Sequence, residues 1–133
     1  MILLDTHTLI WLDEGNKCIG RRTLNMLNEA LAGGSLAVSA ITFWETAMLV
    51  EKGRLEINIE LSIWRKNLLE SGLKEIPLSG AMGILASELK NFQGDPVDRM
   101  IAATALETSA TLATADKKIL AWPGLTEKQD ARL

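Results

Sequence analysis

The stretch MILLDTHTLI, residues 1–10, opens with four apolar residues that stop abruptly at Asp5. A run this short and this apolar suits a buried strand of a parallel sheet, and the acid marks the point where the chain leaves it for a loop or helix. The same unit recurs downstream. Leu36 to Val38 reads as a second strand, Leu73 to Ile76 before Pro77 as a third, and Thr111 to Ala113 as a fourth.

The intervening segments have helical spacing. Leu24, Leu27 and Leu31 precede a stop at Gly33-Gly34, and Ser39 or Thr42 can cap a helix holding Phe43, Ala47, Met48 and Val50 that closes at Gly53. Leu61, Trp64 and Leu68 mark a further amphipathic helix ending near Gly72, and Ser79 can cap one carrying Met82, Leu85 and Leu89. Asp95-Pro96 starts a helix that runs to about Ser109, because aspartate satisfies the free amides and proline is tolerated in the first turn. Asp116 begins a short last helix, broken at Pro123-Gly124, and the tail from Thr126 is polar. Strands alternating with helices predict an α/β fold, with helices on both faces of a mainly parallel sheet of four or five strands. There is no internal repeat or linker, so residues 1–133 are expected to form a single domain around one core.

Composition removes several classes of function. Hydrophobic residues at 47% and charged residues at 23% describe a globular chain rather than a disordered one. No apolar run approaches the ~20 residues needed to span a bilayer, and no signal peptide is recognisable. The single cysteine, Cys18, cannot form an internal disulfide, so a cytoplasmic location is expected. With one histidine, His7, zinc sites of the His/Cys kind are excluded, and serine or cysteine hydrolase chemistry would need His7 as its base. Carboxylates are left to carry any catalysis. The net charge of −3 is unusual for a nucleic-acid enzyme, but divalent cations bound at clustered acids reverse the sign locally.

In open α/β sheets, ligands bind beyond the carboxyl ends of the strands. Asp5 ends the first strand, Glu45 falls in the first turn after the second, Asp116 opens the helix after the fourth, and Asp98 lies in the first turn of the helix begun at Asp95. Singly, each has an ordinary explanation. Thr42-x-x-Glu45 has the form of a capping box, Asp98 complements a helix dipole, and Asp116 can be a simple cap. Their joint placement at one sheet edge is what points to a site. Two unit charges ~4 Å apart repel by about 4 kcal/mol at an effective dielectric of ~20, so four converging carboxylates require cations. Hard oxygen ligands select Mg2+ or Mn2+, and such a site suits phosphodiester hydrolysis.

Four blocks carry a resemblance across essentially the whole chain: LLDTHTLIWL (3–12), SAITFWETAMLVEKGRLEI (39–57), GDPVDRMIAATALE (94–107) and TLATADKKILAWPG (111–124). In this order they resemble the PIN-domain nucleases, most closely the VapC-type toxins of bacterial toxin–antitoxin pairs. The resemblance implies that Asp5, Glu45, Asp98 and Asp116 are metal ligands. It also implies a three-layer α/β/α sandwich, endoribonuclease activity on RNA, a homodimer, and a small cognate antitoxin protein that blocks the cleft. None of the four acidic positions departs from the family pattern.

Around these acids, Thr6 and Thr114 each stand beside a proposed ligand, either to orient its carboxylate or to cap a helix. Asp95 supports the site from its capping position, and His7 is not expected to be a ligand. Arg99 and Lys117 are expected to bind phosphate oxygens flanking the cut, while Lys118 follows them in sequence. Trp11, Trp44, Trp64 and Trp122 are read as core or interface residues rather than base-stacking ones. A haloacid-dehalogenase-type phosphotransferase would need a second aspartate two positions after Asp5, where this chain has His7. A non-catalytic partner-binding module on the same fold is the alternative from another class.

Overall fold

The computed structural model describes residues 1–133. The chain forms β1 (Ile2–Leu4), α1 (Thr6–Glu14), α2 (Arg21–Ala32), β2 (Leu36–Ser39), α3 (Ile41–Glu51) and α4 (Leu61–Glu70), followed by β3 (Lys74–Ile76), α5 (Gly80–Glu88), α6 (Pro96–Thr108), β4 (Thr111–Thr114), α7 (Lys117–Ala121) and β5 (Lys128–Asp130). The strands make one sheet of order β3-β2-β1-β4-β5 with every pairing parallel. β1 lies at its centre, flanked by β2 and β4.

Alternation along the strands feeds two separate cores. Leu3, Ala37 and Leu112 point to one face, where Ile101, Ala102 and Ala105 of α6 cover them together with Ile119 of α7. Leu4, Val38 and Ala113 point to the other, beneath Leu9 of α1, Leu27 and Ala30 of α2, and Trp64 of α4. A sheet covered on both faces explains why its inner strands read as continuous apolar runs. The arrangement is the expected three-layer α/β/α sandwich.

One local feature falls within the sequence expectations and two depart from them. The residues after Asp5 form α1 at once, capped by Asp5 and closed at Gly15 in the left-handed region at φ 66°. α3 begins one residue before Thr42, with Ser39 Oγ accepting from Ile41 N at 3.2 Å. Thr42 is therefore inside the helix, and its hydroxyl meets that of Thr6 at 3.1 Å instead of capping. The polar tail contributes β5, which pairs with β4 through backbone groups alone and so carries no apolar signature. No helix is long and apolar enough to cross a membrane.

Candidate active site

The carboxyl edges of β1 and β4 deliver the first two acids. Asp5 follows β1 directly and is 8% exposed, with Oδ1 accepting from Thr8 N at 2.8 Å and Oδ2 accepting from the Thr114 hydroxyl. Thr114 ends β4 fully buried, and its Oγ accepts from Asp116 N at 3.1 Å. One hydroxyl thus ties together two acids that lie on neighbouring strands' ends. Asp116 caps α7, with Oδ1 accepting from Lys118 N at 2.8 Å. Thr6, also buried, holds the start of α3 through Thr42.

The other two acids come from helices. Glu45 is the fifth residue of α3, two residues deeper than a Thr42 cap would put it, so the capping-box explanation for it fails. Asp98 sits in the first turn of α6, where its backbone N–H donates to Asp95 Oδ1 at 2.8 Å. Asp95 is accordingly the cap of α6, as its Asp-Pro sequence indicated. Gly94 lets the preceding loop close on this corner, since a Cβ there would meet the Phe92 ring and Asp98 Cβ.

A cavity of about 380 Å³ brings these groups together. Asp5, Glu45, Asp95, Asp98 and Asp116 all line it, and so do Thr6 and His7. Their mutual proximity shows in their acidities. Burial, then the charges of Asp95, Asp116 and Glu45, push the Asp98 carboxyl up from 3.8 to about 7. Burial also raises Glu45; the Thr6 hydroxyl and His7 oppose the rise, and the charges of Asp95 and Asp5 add to it. Burial is the larger cause in both, and the neighbouring carboxylates push in the same direction.

The residues fit a hard divalent cation by donor chemistry, since the charged groups of the cavity are mostly carboxylates whose repulsion a cation relieves. They do not form a preassembled cage, because no three of the acids close on a single point. Magnesium tolerates this, as it keeps several waters and needs only one or two direct carboxylates.

The basic residues are placed differently from expectation. Arg99 does not reach the cavity: its two terminal nitrogens donate to the carbonyls of Ala86 and Phe92 at 3.0 and 3.1 Å, and its guanidinium lies over the Phe92 ring. It locks the loop before α6, and its expected contact with phosphate is withdrawn. Lys117 lines a neighbouring surface hollow with Lys118, Asn91 and Gln93 rather than the acidic cavity itself. Trp11, read from the sequence as a core or interface residue, lines the cavity, and so does Arg132, which the sequence did not single out. No periodicity announces Arg132, which follows the polar edge strand, and only the sheet order places it here. Beside the cavity runs a larger groove of about 680 Å³, sharing His7, Trp11, Glu45 and Asp95 with it and walled by Trp44, Met48, Leu49 and Leu55.

A family model described as the PIN domain matches residues 2–124. Ribonuclease VapC22 of Mycobacterium tuberculosis is 30% identical over 119 residues, covering 89% of this chain and 88% of that protein. Among solved structures, VapBC2 from Rickettsia felis bound to a DNA fragment from their promoter superposes with a TM-score of 0.71 at 24% identity, covering 98% of this chain and all of the other. A toxin–antitoxin complex from Klebsiella pneumoniae gives 0.64 at 23% identity, covering 98% of each chain. At these identities the structural likenesses establish the fold.

Proposed function

The chain belongs to the PIN-domain family, and from that premise we propose that it is an endoribonuclease, the toxin of a toxin–antitoxin pair, acting with Mg2+ or Mn2+. One observation carries the reading: Asp5, Glu45, Asp98 and Asp116, drawn from four separate blocks of sequence, line one cavity at the carboxyl edge of the sheet. The ribonuclease relative supports the reaction class, and family membership supports RNA as substrate.

Each residue has a definite task in this reading. Asp5, held by Thr8 N and the Thr114 hydroxyl, presents a fixed carboxylate at the floor of the cavity. Asp116, two positions on, donates its backbone N–H to the same threonine, so the two acids keep their spacing while substrate enters. Glu45 and Asp98 face them from helices, and a bound cation would offset the neighbouring charges and favour the ionised form of Asp98. When bound, the divalent ion supplies charge neutralisation of the scissile phosphate and makes the attacking water more acidic. Lys117, beside the cavity, is placed to meet the RNA backbone as it leaves.

A small antitoxin that blocks the cleft would meet it through the adjoining groove, whose apolar wall includes Trp44 at 56% exposure. The homodimer belongs to the same family-based reading. Purified Asp5→Ala and Asp98→Asn chains should lose Mg2+- or Mn2+-dependent RNA cleavage while keeping the native circular-dichroism spectrum. Undiminished cleavage by either variant refutes the nuclease reading. A reading frame for a small protein next to this gene, whose co-expression relieves growth arrest, tests the toxin part separately.

A further inference from the structure

Arg132 is the only lysine or arginine among the residues lining the acidic cavity. Five carboxylates share that cavity, yet Arg132 forms no ion pair with any of them; the ion pairs of the fold are Arg65 with Glu75 and Lys66 with Glu70. Its guanidinium is held back by two other partners. Nη1 donates to the carbonyl of Ala115, the residue between Thr114 and Asp116, and the guanidinium carbon lies 5.8 Å from the centre of the Trp11 ring.

The backbone that delivers it is pinned on both sides. Ala131 N donates to Thr114 O at 2.9 Å, Gly20 N donates to Ala131 O at 2.9 Å, and the Thr23 hydroxyl donates to Asp130 O at 3.0 Å. Asp130 Oδ1 in turn accepts from Arg132 N at 2.9 Å. The side chain is therefore aimed by β5 and α2 together rather than left to wander.

A guanidinium has five N–H donors in a planar fork, and this one commits only one of them. Stacking on an aromatic ring and a single carbonyl bond restrain the plane and leave the remaining donors without a protein partner in a residue that lines the cavity, and a planar fork of free donors is what a phosphate accepts in a bidentate manner. We propose that Arg132 is the phosphate-binding residue of this site, gripping the RNA phosphate next to the scissile bond and supplying the positive charge that Arg99 does not. This assignment rests on the ribonuclease reading above.

The test uses the full chain in an Asp98→Asn background, which prevents cleavage, and a fluorescein-labelled single-stranded RNA of mixed sequence, followed by anisotropy over a range of salt. Arg132→Gln should weaken binding by about tenfold and lower the slope of log K against log salt by about 0.7, the loss of one phosphate contact on a single strand. Arg132→Lys keeps the charge without the fork, so it should preserve the slope while still weakening binding several-fold. If Arg132→Gln does not fold, the lysine variant decides alone, and unchanged affinity there overturns the proposal. Unchanged affinity and slope for a folded glutamine variant overturn it too, while cleavage by the Asp98 parent would leave the nuclease reading standing. A parent chain that neither cleaves nor binds RNA removes both.

Discussion

Replacing Asp98 by asparagine should make the metal-free protein more stable, although it destroys the proposed active site. Burial and the neighbouring acids lift this carboxyl from 3.8 to about 7, so the folded chain keeps a proton there that the unfolded chain releases near pH 4. Folding is therefore penalised progressively as pH rises from about 4 to 7, and the full penalty applies above 7. At about 1.4 kcal/mol per tenfold change in proton affinity, the undiscounted penalty is about 4 kcal/mol. Asp98 is only half-buried, and solvent screening reduces this to about 1–2 kcal/mol. Asparagine has the same shape and no proton to lose. In chelator at pH 8 the variant should melt about 3–8 °C higher than the parent, and the advantage should vanish by pH 4. Adding Mg2+ or Mn2+ should reverse the order, since an ion present at 100 times its dissociation constant stabilises the parent by about 2.7 kcal/mol and the variant much less. Thermal melts at the two pH values, with and without metal, measure all four quantities. A variant no more stable than its parent at pH 8 in chelator would show that the acids do not repel as described. Equal stabilisation of both proteins by metal would show that Asp98 does not hold the ion.

Other substitutions test the supports of the site. Thr114→Val removes the hydroxyl that joins Asp5 to Asp116 N while keeping side-chain shape; it should lower stability by about 1–3 kcal/mol in urea titrations and reduce cleavage sharply. Gly94→Ala places a methyl group against Phe92 and Asp98 and should destabilise by about 1–3 kcal/mol, with cleavage falling further than unfolding explains. Leu3→Ala opens a cavity beneath α6 at a cost of about 2–5 kcal/mol, read from the shift in denaturation midpoint, and cleavage by the fraction that remains folded should be unchanged.

The inner strands were legible because both faces of the sheet are covered, which forces Leu3, Leu4, Leu36 and Val38 to be apolar in succession. Asp95-Pro96 and Asp116 announced their helices because capping is a local matter, settled by the nearest amides. β5 was illegible for the opposite reason: a three-residue edge strand of Lys, Gln and Asp is specified by the backbone of β4 and not by its own side chains. The positions of the four acids could be argued from strand and helix ends, but the direction of a long side chain could not. The sequence favours Arg99 because it follows a proposed ligand and does not single out Arg132, yet the carbonyls of Ala86 and Phe92 capture the first while Ala115 and Trp11 hold the second beside the cavity. Glu45 is assigned to the site from its position just after the second strand, and the competing capping-box explanation lapses because the Thr42 hydroxyl bonds that of Thr6 inside the helix.

The bond between Thr114 and Asp5 spans 109 positions of sequence, and β1 cannot enter the sheet's centre without β4 beside it. During synthesis, Asp5 emerges 109 positions ahead of Thr114 and lacks that hydroxyl partner until β4 is made. Threonine and its neighbouring acid must both clear the exit tunnel before the cavity has a floor. The cavity of a nascent chain consequently stays incomplete until Thr114 and Asp116 have been made and β4 has docked beside β1.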